Sequence, residues 1–282
     1  MGTHQSPPFQ RRMLGKKLRE LREAAGLMAA EVARRTEIST GRLSRIENGE
    51  VAPDIPLAKF LLDLYVIPVN DWEPYLEQVR AARRAKGWWQ AHGVVARGYI
   101  ALETAASSQR TFQLAHVPGL LQTEGHMRAL FGGDGIAKNS EQIERDVRVR
   151  LIRQKRLHSV DDRLHLAAII DHTVLRRAVG STAVMKAQLR HLIEMARLPT
   201  VSLRVVAPGA EPHVGMDGSF TVLSFEGTDE PDLAYVESLA GSFQIEKVEQ
   251  VRACIVGFDR LCSVALDPVD SIALIERVEH EL

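Results

Sequence analysis

The sequence has little cysteine, few aromatic residues and no long apolar run. Cys254 and Cys262 are the two cysteines among 282 residues, and neither belongs to a CxxC motif. This content excludes a small domain stabilised by disulfides and specifies no metal site, so we predict that both thiols pack in a core. No run of about eighteen apolar residues is present, which excludes a membrane-spanning helix on sequence grounds.

The sequence also lacks a secretion signal and a net charge. Its first residues are polar and then basic, so we expect a cytoplasmic protein. The 36 Lys and Arg residues balance the 36 Asp and Glu residues overall, yet residues 80–200 carry ten excess positive charges and residues 201–282 ten excess negative ones. Two such blocks can neutralise each other within one fold or across a subunit interface. Neither block alone therefore indicates nucleic-acid binding.

Motifs of catalysis are missing as well. The sequence contains no GxSxG, GxxxxGK[ST] or HExxH motif and no dinucleotide fingerprint after a predicted strand. Its ten histidines are scattered, and none accompanies a nucleophile at a recognisable spacing. We expect a protein that is not an enzyme and that holds no cofactor or metal.

Short amphipathic helical patterns fill the first seventy residues. They cover residues 10–24, ended by Gly26, and residues 29–36. A third helix of about ten residues begins at Ser39, with Leu43 and Ile46 on its inner face. The fourth helix is predicted to end at Pro68 and to place one apolar stripe inward, formed by Leu57, Phe60, Leu61, Leu64 and Tyr65.

Composition and periodicity change near Gly87-Trp88-Trp89. We therefore predict an all-α domain over 1–75, a connecting helix and linker over 76–90, and a larger α+β domain over 91–282. Within the larger domain, apolar strands are predicted at 112–117, 164–170, 201–206, 220–225 and 234–237. Helices are predicted at 120–131, 142–157, 185–196 and 248–264. The order of the strands does not follow from these patterns.

The first helices have the spacing of a helix-turn-helix, with turns at residues 26–27 and 37–39. A recognition helix needs small or polar residues in its first turn and long hydrogen-bond donors on the same face. Thr40, Gly41, Arg42 and Arg45 supply both, on the side opposite the predicted core. The sequence therefore predicts binding to a double-stranded DNA operator.

The same segment resembles the phage-repressor-like, xenobiotic-response-element family of helix-turn-helix proteins. The matching residues are Leu18-Arg19-Glu20-Leu21-Arg22, Gly26-Leu27, Glu31-Val32-Ala33, Ile38-Ser39 and Leu43-Ser44-Arg45-Ile46-Glu47-Asn48-Gly49. The resemblance implies that Thr40, Gly41 and Arg45 face bases and that Arg42 and Asn48 contact the DNA backbone. It further implies a structural ion pair between Arg22 and Glu47.

Two departures from that family concern the second helix and its turn. The family usually opens this helix with a Thr-Gln pair, where this chain has Met28-Ala29, and a glycine is common where this chain has Glu37. Neither Met28 nor Ala29 can cap a helix or bind phosphate through its side chain. Phosphate neutralisation is instead assigned to basic residues of the first helix and to Arg42; those of the first helix are Lys16, Lys17, Arg11 and Arg12.

The rest of the chain resembles the large C-terminal domain of actinomycete regulators of the WhiJ type. The matching residues are Gly87-Trp88-Trp89, Tyr99-Ile100-Ala101-Leu102-Glu103, Val117-Pro118-Gly119-Leu120-Leu121-Gln122-Thr123, Arg153-Gln154, Leu175-Arg176-Arg177-Ala178-Val179-Gly180, Gln188-Leu189, Gly218-Ser219-Phe220 and Tyr235-Val236-Glu237. The resemblance implies a transcriptional regulator, often paired with a small partner protein from a neighbouring gene in an antitoxin-like arrangement. It implies no particular ligand.

Two groups of residues in the larger domain are candidates for partner binding. Leu120, Leu121 and Gln122 follow Pro118-Gly119, which is typical of a sharp turn, and they line either that turn or a pocket or partner groove. The second group is a set of arginines that recurs along one predicted helix. These arginines form either a solvated face that pairs with acidic residues of 201–282 or a docking surface for a small acidic protein. The group consists of Arg145, Arg148, Arg153 and Arg156.

These observations lead to one functional expectation and two alternatives. We expect a DNA-binding transcriptional regulator, such as a repressor, that acts as a homodimer on a two-fold operator. One alternative is an antitoxin-like module that binds a small partner protein and autoregulates weakly, in keeping with Met28-Ala29. The other is a regulator whose C-terminal domain encloses a small-molecule ligand.

Overall fold

The structure, a computed structural model, describes residues 7–83, 99–133, 139–227 and 230–282. The chain divides into two compact units, Met1–Ala105 and Ala106–Leu282. Gly87-Trp88-Trp89, near which the domain boundary was predicted, lies outside the described residues. No helix in the described ranges is long and apolar enough to cross a membrane.

The described part of the first unit is entirely helical. Its helices are α1 (Pro7–Ala24), α2 (Ala29–Arg35), α3 (Thr40–Glu47), α4 (Ile55–Leu64), α5 (Trp72–Arg83) and α6 (Tyr99–Ala105). Leu14, Leu18, Leu43 and Ile46 are almost fully buried, as their helical spacing predicts. They share one core with the inner residues of α4 and α5, so the apolar stripes predicted for the first and third helices are confirmed.

Two predictions for this unit need correction. The fourth helix ends at Leu64, before Pro68, and Val66 adopts a left-handed conformation with φ 62°. Its inner face consists of Leu57, Ala58, Leu61 and Leu62, whereas Phe60 is 50% exposed, because the buried stripe is rotated toward Ala58 and Leu62. Helix α5 covers part of the 76–90 range that was predicted as a connecting helix and linker. Its Leu76, Val79 and Ala82 pack into the same helical core.

The second unit contains a mixed sheet and six helices among its described residues. The strands are β1 (Ser108–Gln113), β2 (His165–Asp171), β3 (Val201–Val206), β4 (Phe220–Ser224), β5 (Leu233–Ser238) and β6 (Gly241–Ile245). The helices are α7 (Glu124–Gly133), α8 (Ser140–Gln154), α9 (Thr173–Arg176), α10 (Thr182–Met195), α11 (Val248–Val264) and α12 (Pro268–Glu281). The predicted class, a helical domain followed by a larger domain of helices and strands, is confirmed.

The sheet has the strand order β3-β2-β1-β4-β5-β6. Strands β1, β2 and β3 are parallel, with Phe112 opposite Ile169 and Ile169 opposite Arg204. The remaining strands are antiparallel, with Val222 opposite Ala234 and Val236 opposite Phe243. Helices lie between the parallel strands as crossovers, and a turn of two residues joins the antiparallel β5 and β6, as the two pairing modes require.

Helices cover the sheet and supply most of its buried contacts. Phe258 and Leu261 of α11 pack with Phe112, Ile169 and Val206. Burial of consecutive β2 residues from Ala168 to Asp171 shows that both faces of this central strand are covered. Parallel strands buried on both faces read as continuous apolar runs, which is why β2 was predictable. The edge strand β3 alternates at its start, with Ser202 exposed between the buried Val201 and Leu203.

The charge segregation of the sequence is neutralised partly within this unit. Arg176 pairs with Glu281, and an Arg190 nitrogen lies 2.8 Å from a carboxylate oxygen of Glu279. Both pairs join the basic middle of the chain to its acidic end. Neutralisation within one fold, one of the two alternatives left open by the sequence, is therefore observed.

Several elements differ from their predicted positions. Strand β1 begins four residues before the predicted 112–117, because Gln109 and Thr111 are polar yet buried between β2 and β4. The buried Thr111 hydroxyl lies 2.9 Å from the Thr221 hydroxyl, which satisfies it inside the sheet. Strand β6 and helices α6, α9 and α12 were not predicted. Strand β3 and helix α11 have the predicted bounds, and the other predicted strands and helices are present with shifts at their ends.

Candidate nucleic-acid interface

Helix α3 is short and sharply capped at its start. Ser39 is the N-cap, and its hydroxyl accepts a hydrogen bond from the Arg42 backbone N–H at 3.1 Å. This contact satisfies one of the free N–H groups of the first turn and fixes where the helix begins. The first turn after the cap carries Thr40 and Gly41, both exposed, so the backbone there is open to approach.

The core side and the outer side of α3 differ completely. Leu43 and Ile46 are each 1% exposed, whereas the predicted contact residues on the opposite side are exposed. The exposed set comprises Thr40, Gly41, Arg42, Arg45 and Asn48. Sequence reasoning omitted Ser44, which is exposed on the same side and accepts a hydrogen bond from the Asn48 side-chain amide at 3.3 Å. Its spacing of four residues from both Thr40 and Asn48 was the available signal.

Two glycines hold the end of α3 directly against α1. A Cβ on Gly15 would lie 2.4 Å from the Ile46 carbonyl oxygen. A Cβ on Gly49, which has φ 71°, would lie 2.5 Å from the Arg12 Cα. Backbone contact at both positions leaves no room for a side chain, so α3 is fixed rigidly relative to α1.

The ion pair implied by the family resemblance is confirmed. Arg22 donates from Nε to Glu47 Oε1 at 2.7 Å and from Nη2 to Oε2 at 3.1 Å. A third bond runs from its Nη1 to the Leu27 carbonyl at 2.9 Å. Both side chains are largely buried, and hydrogen bonding to Glu47 raises the pKa of the Arg22 guanidinium. The pair joins α1, the turn before α2 and the end of α3.

The arginines of α3 have different surroundings. Arg42 lies 3.8 Å from the Asp54 carboxylate, an exposed ion pair of small energetic value. Arg45 makes no side-chain hydrogen bond or ion pair with any residue that the structure describes, and it is exposed near the middle of the outer face. Its guanidinium is therefore available to a base edge or a phosphate.

The basic residues of α1 that were assigned to phosphates differ in their exposure. Lys17 is exposed, with Nζ 3.8 Å from Glu20, whereas Lys16 is half-buried. Arg11 and Arg12, assigned to phosphates from the sequence, are also half-buried. Burial lowers the pKa of Arg11. Lys17 is thus the most accessible of the four for a phosphate contact.

Both sequence departures from the family have a structural consequence, one at the start of α2 and one in the turn that follows it. Met28 stands at its N-cap, makes no side-chain capping bond and is 73% exposed. Glu37 adopts φ 57°, a left-handed conformation that costs a non-glycine residue about 1 kcal/mol or more. The helix-turn-helix therefore folds without two of the local features that usually stabilise it.

In the second unit, the predicted turn at Pro118-Gly119 is held by a buried polar network. Leu120, Leu121 and Gln122 are at most 2% exposed. The Gln122 side-chain amide donates a hydrogen bond to the Val117 carbonyl at 2.7 Å, and the Gln188 side-chain oxygen accepts one from the Thr123 backbone N–H at 2.8 Å. The partner role proposed for these three residues stays a prediction. Each already has a packing or hydrogen-bonding role within the unit.

The four arginines of the predicted stripe differ in their exposure and in their contacts. Arg145 and Arg153 are half-buried and Arg148 is exposed on α8. Arg156 lies beyond the helix, pairs with Asp162 at 3.0 Å and donates to the Ala106 carbonyl at 2.8 Å. Its acidic partner is thus local and does not come from residues 201–282. Docking of an acidic protein on the stripe stays a prediction.

Arg150 also lies on α8 and links that helix to Gln122 and Phe131. Its guanidinium donates to the Gln122 side-chain oxygen and lies 4.7 Å from the centre of the Phe131 ring. The nearby His126 is 2% exposed, and its Nδ1 has no hydrogen-bond partner in the described part of the chain. Burial, with the Arg150 charge, lowers the pKa of His126 to about 4.

The first unit thus has the form of a helix-turn-helix DNA-binding domain with a polar, partly basic outer face on α3. Comparison with known families gives the same result, since residues 13–71 match a helix-turn-helix domain. Residues 96–277 match a domain of unknown function (DUF5753), which covers more than half of the chain. The chain belongs to this DUF5753 family. Neither the curated proteins nor the solved structures gave a match.

Proposed function

We propose that the protein is a sequence-specific transcriptional regulator, acting as a repressor, that inserts α3 into the major groove of an operator. The observation that carries this proposal is the exposed Arg45, which pairs with no residue that the structure describes and lies on a helix held rigidly through Gly15, Gly49 and the Arg22–Glu47 pair. Base readout requires a side chain that is free to bond and a backbone that does not move.

The roles assigned within this surface differ in their chemistry. Thr40, Gly41 and Arg45 would face base edges, as in the xenobiotic-response-element proteins that the segment resembles. Lys17, Lys16 and Arg42 would bind phosphates, with Asn48 beside them. Phosphate contacts contribute salt-dependent affinity that is the same for every sequence, whereas base contacts determine which sequence is bound.

The test compares Arg45→Ala with Lys17→Ala in the full-length protein. Arg45→Ala should weaken binding to the preferred site by about 1–3 kcal/mol and relax selectivity at one base position. Lys17→Ala should weaken preferred and random DNA alike and reduce the slope of log K against log salt by about one. Arg80→Ala, an exposed arginine of α5 paired with Glu73, serves as the control.

The measurement is binding to labelled duplexes over a series of salt concentrations. Equal losses on preferred and random DNA from Arg45→Ala would contradict its role in base readout. An unchanged salt slope in Lys17→Ala would remove that residue from the phosphate contacts.

We further propose that the protein binds DNA as a homodimer and acts by binding without catalysis. A single short recognition helix covers few base pairs, and two half-sites give specific affinity. The second unit would then dimerise the chain and sense a partner or ligand, as in the WhiJ-type regulators that it resembles. In a cell, this places the protein in the cytoplasm on its operator.

A second candidate is the antitoxin-like module that binds a small acidic protein from a neighbouring gene. The uncapped start of α2 at Met28 supports it, because a weaker helix-turn-helix would gain from a partner that stabilises it. Operator binding measured with and without the co-expressed neighbouring protein distinguishes the two. Specific binding by the chain alone favours the simple regulator, and specific binding only in the complex favours the antitoxin-like module.

A further inference from the structure

The two edges of the sheet in the second unit are treated differently. At the β3 edge, the Val205 N–H donates to the Ser271 hydroxyl and its carbonyl accepts from the Leu266 N–H, each at 2.9 Å. At Val205, the outer backbone groups of this strand are therefore satisfied by the segment that leads into α12. The opposite edge is β6, and no described strand or helix pairs with its outer side.

Strand β6 lacks two of the features that commonly protect an open edge. Its sequence is Gly-Ser-Phe-Gln-Ile, without a charge or a proline, and it is almost wholly exposed. Natural edge strands are commonly blocked by lysine, proline, a bulge or a covering element. An uncharged edge with free backbone groups is a site for the addition of another strand.

The pairing with β5 determines which backbone groups of β6 point outward. Ser238 and Gly241 pair across a turn of two residues, so hydrogen-bonded and non-hydrogen-bonded pairs alternate from there. The backbone N–H and C=O groups of Phe243 point toward Val236 on β5. The N–H and C=O groups of its neighbours, Ser242 and Gln244, therefore point away from the sheet. These groups flank Phe243 symmetrically.

Phe243 itself is an apolar residue whose burial is incomplete. It shares a face with Ile245, which packs against Val222, Ala234 and Val251, yet 53% of Phe243 is exposed. The apolar surface that α11 covers thus continues to the open edge without a cover. Leu239, in the turn beside this strand, is fully exposed as well.

We propose that β6 pairs antiparallel with β6 of a second copy, on a two-fold axis at Phe243, and joins two sheets into one. In this register Ser242 of each copy exchanges backbone hydrogen bonds with Gln244 of the other. The two Phe243 rings become direct neighbours in a non-hydrogen-bonded pair, where side chains approach most closely. No charged residue of β6 faces another charge, so the edge is complementary to itself.

The proposal specifies an interface for the homodimer that we proposed above. It rests on that proposed function, because operator binding by a homodimer is what requires two copies. A five-residue strand pair is small compared with stable dimer interfaces of about 1,200 Å² or more. We therefore expect a dimer that dissociates on dilution. Two-fold symmetry of the pair matches the symmetry of an operator with two half-sites.

Disulfide trapping tests the register in the full chain without DNA. Across a non-hydrogen-bonded pair the Cα atoms lie about 4.5 Å apart, within the range that a disulfide spans. Phe243→Cys should therefore give a covalent dimer under mild oxidation. Phe60→Cys replaces a phenylalanine of equal exposure in the helical unit, and the wild type reports on Cys254 and Cys262, whose thiol pKa values burial raises.

Sedimentation over about a hundredfold range of concentration tests the dimer itself. The wild type and Phe60→Lys should dimerise alike, and Phe243→Lys, which would place two ammonium groups together, should shift the dissociation constant at least about tenfold. A wild type that stays monomeric throughout, or Phe243→Cys that crosslinks no more than Phe60→Cys, would overturn the proposal. Loss of base selectivity in Arg45→Ala is read separately on DNA, so either proposal can fail alone.

Discussion

At the scale of single residues, a buried ion pair is the contact that we expect to stabilise the helical unit most. Arg22 and Glu47 lie at the junction of α1 and α3 with about a tenth of each side chain exposed. Removing one partner of such a pair leaves the other charged and buried, which costs far more than the loss of a surface pair. The residues of α3 that are proposed to face bases are exposed, so their replacement should change stability little.

Arg22→Met should lower the free energy of unfolding of the helical unit by about 3 kcal/mol, because Glu47 would keep a buried, uncompensated charge. Arg19→Met, which breaks the exposed pair with Glu23, should cost less than about 1 kcal/mol. Urea unfolding followed by circular dichroism on the full chain measures both. Equal destabilisation by the two variants would contradict the structural role of the Arg22–Glu47 pair.

His126 makes the stability of the second unit depend on pH. Its pKa in the folded protein is about 4, against an ordinary value of 6.5. The stabilisation from keeping it neutral is complete above pH 6.5 and is lost as the pH falls toward 4, since the unfolded chain then binds the proton more tightly. The loss amounts to about 3 kcal/mol.

Thermal unfolding between pH 7 and pH 4 checks this dependence. The transition of the second unit should shift less with pH in His126→Gln than in the wild type. His280→Gln removes an exposed histidine near the C-terminus and should leave the wild-type dependence intact. A His126→Gln variant with the full wild-type dependence would show that another group is responsible.

At the scale of elements, α2 is the least well stabilised part of the helix-turn-helix. Met28 leaves its first N–H groups without a side-chain acceptor. Met28→Thr should raise the free energy of unfolding of the helical unit by about 1 kcal/mol, and Met28→Ala should change it little. Urea unfolding of the two variants gives the comparison. No gain from Met28→Thr would mean that the start of α2 is already satisfied in solution.

Elements with a clear local signal were predictable from the sequence. Both ends and the buried face of α3 were predicted correctly from the cap Ser39, the inner residues Leu43 and Ile46 and the stop signal near Asn48-Gly49. A short helix that packs against one core can place its apolar residues in few other ways. The apolar β3 and the strongly amphipathic α11 were found at their observed bounds, Val201–Val206 and Val248–Val264.

Other elements depend on contacts that no local pattern shows. Strand β6 alternates apolar Phe243 and Ile245 with polar Ser242 and Gln244, but this pattern is only about four residues long and nearly all of the strand is exposed. Strand β1 contains Gln109 and Thr111, whose burial follows from their position between two other strands. Helix α12 did have a signal, the cap Asp267 followed by Pro268 at its first turn. That signal was overlooked.

At the scale of the whole molecule, the chain joins a helix-turn-helix unit to a DUF5753 domain. Its zero net charge comes from opposite blocks that partly pair inside the second unit, as Arg190 and Glu279 show. If the protein binds DNA as proposed, its affinity has to come from local basic residues, since the overall charge supplies no general attraction. The proposal therefore assigns its selectivity to base contacts and to two copies.

The most direct test of this account is to purify the full chain and select the genomic DNA fragments that it binds at physiological salt. We predict an inverted repeat whose half-sites lie about one helical turn apart, as two copies of α3 on one face of the duplex require. Replacing Arg45 by alanine should relax one position in each half-site. Salt-sensitive binding without any sequence preference would contradict the account.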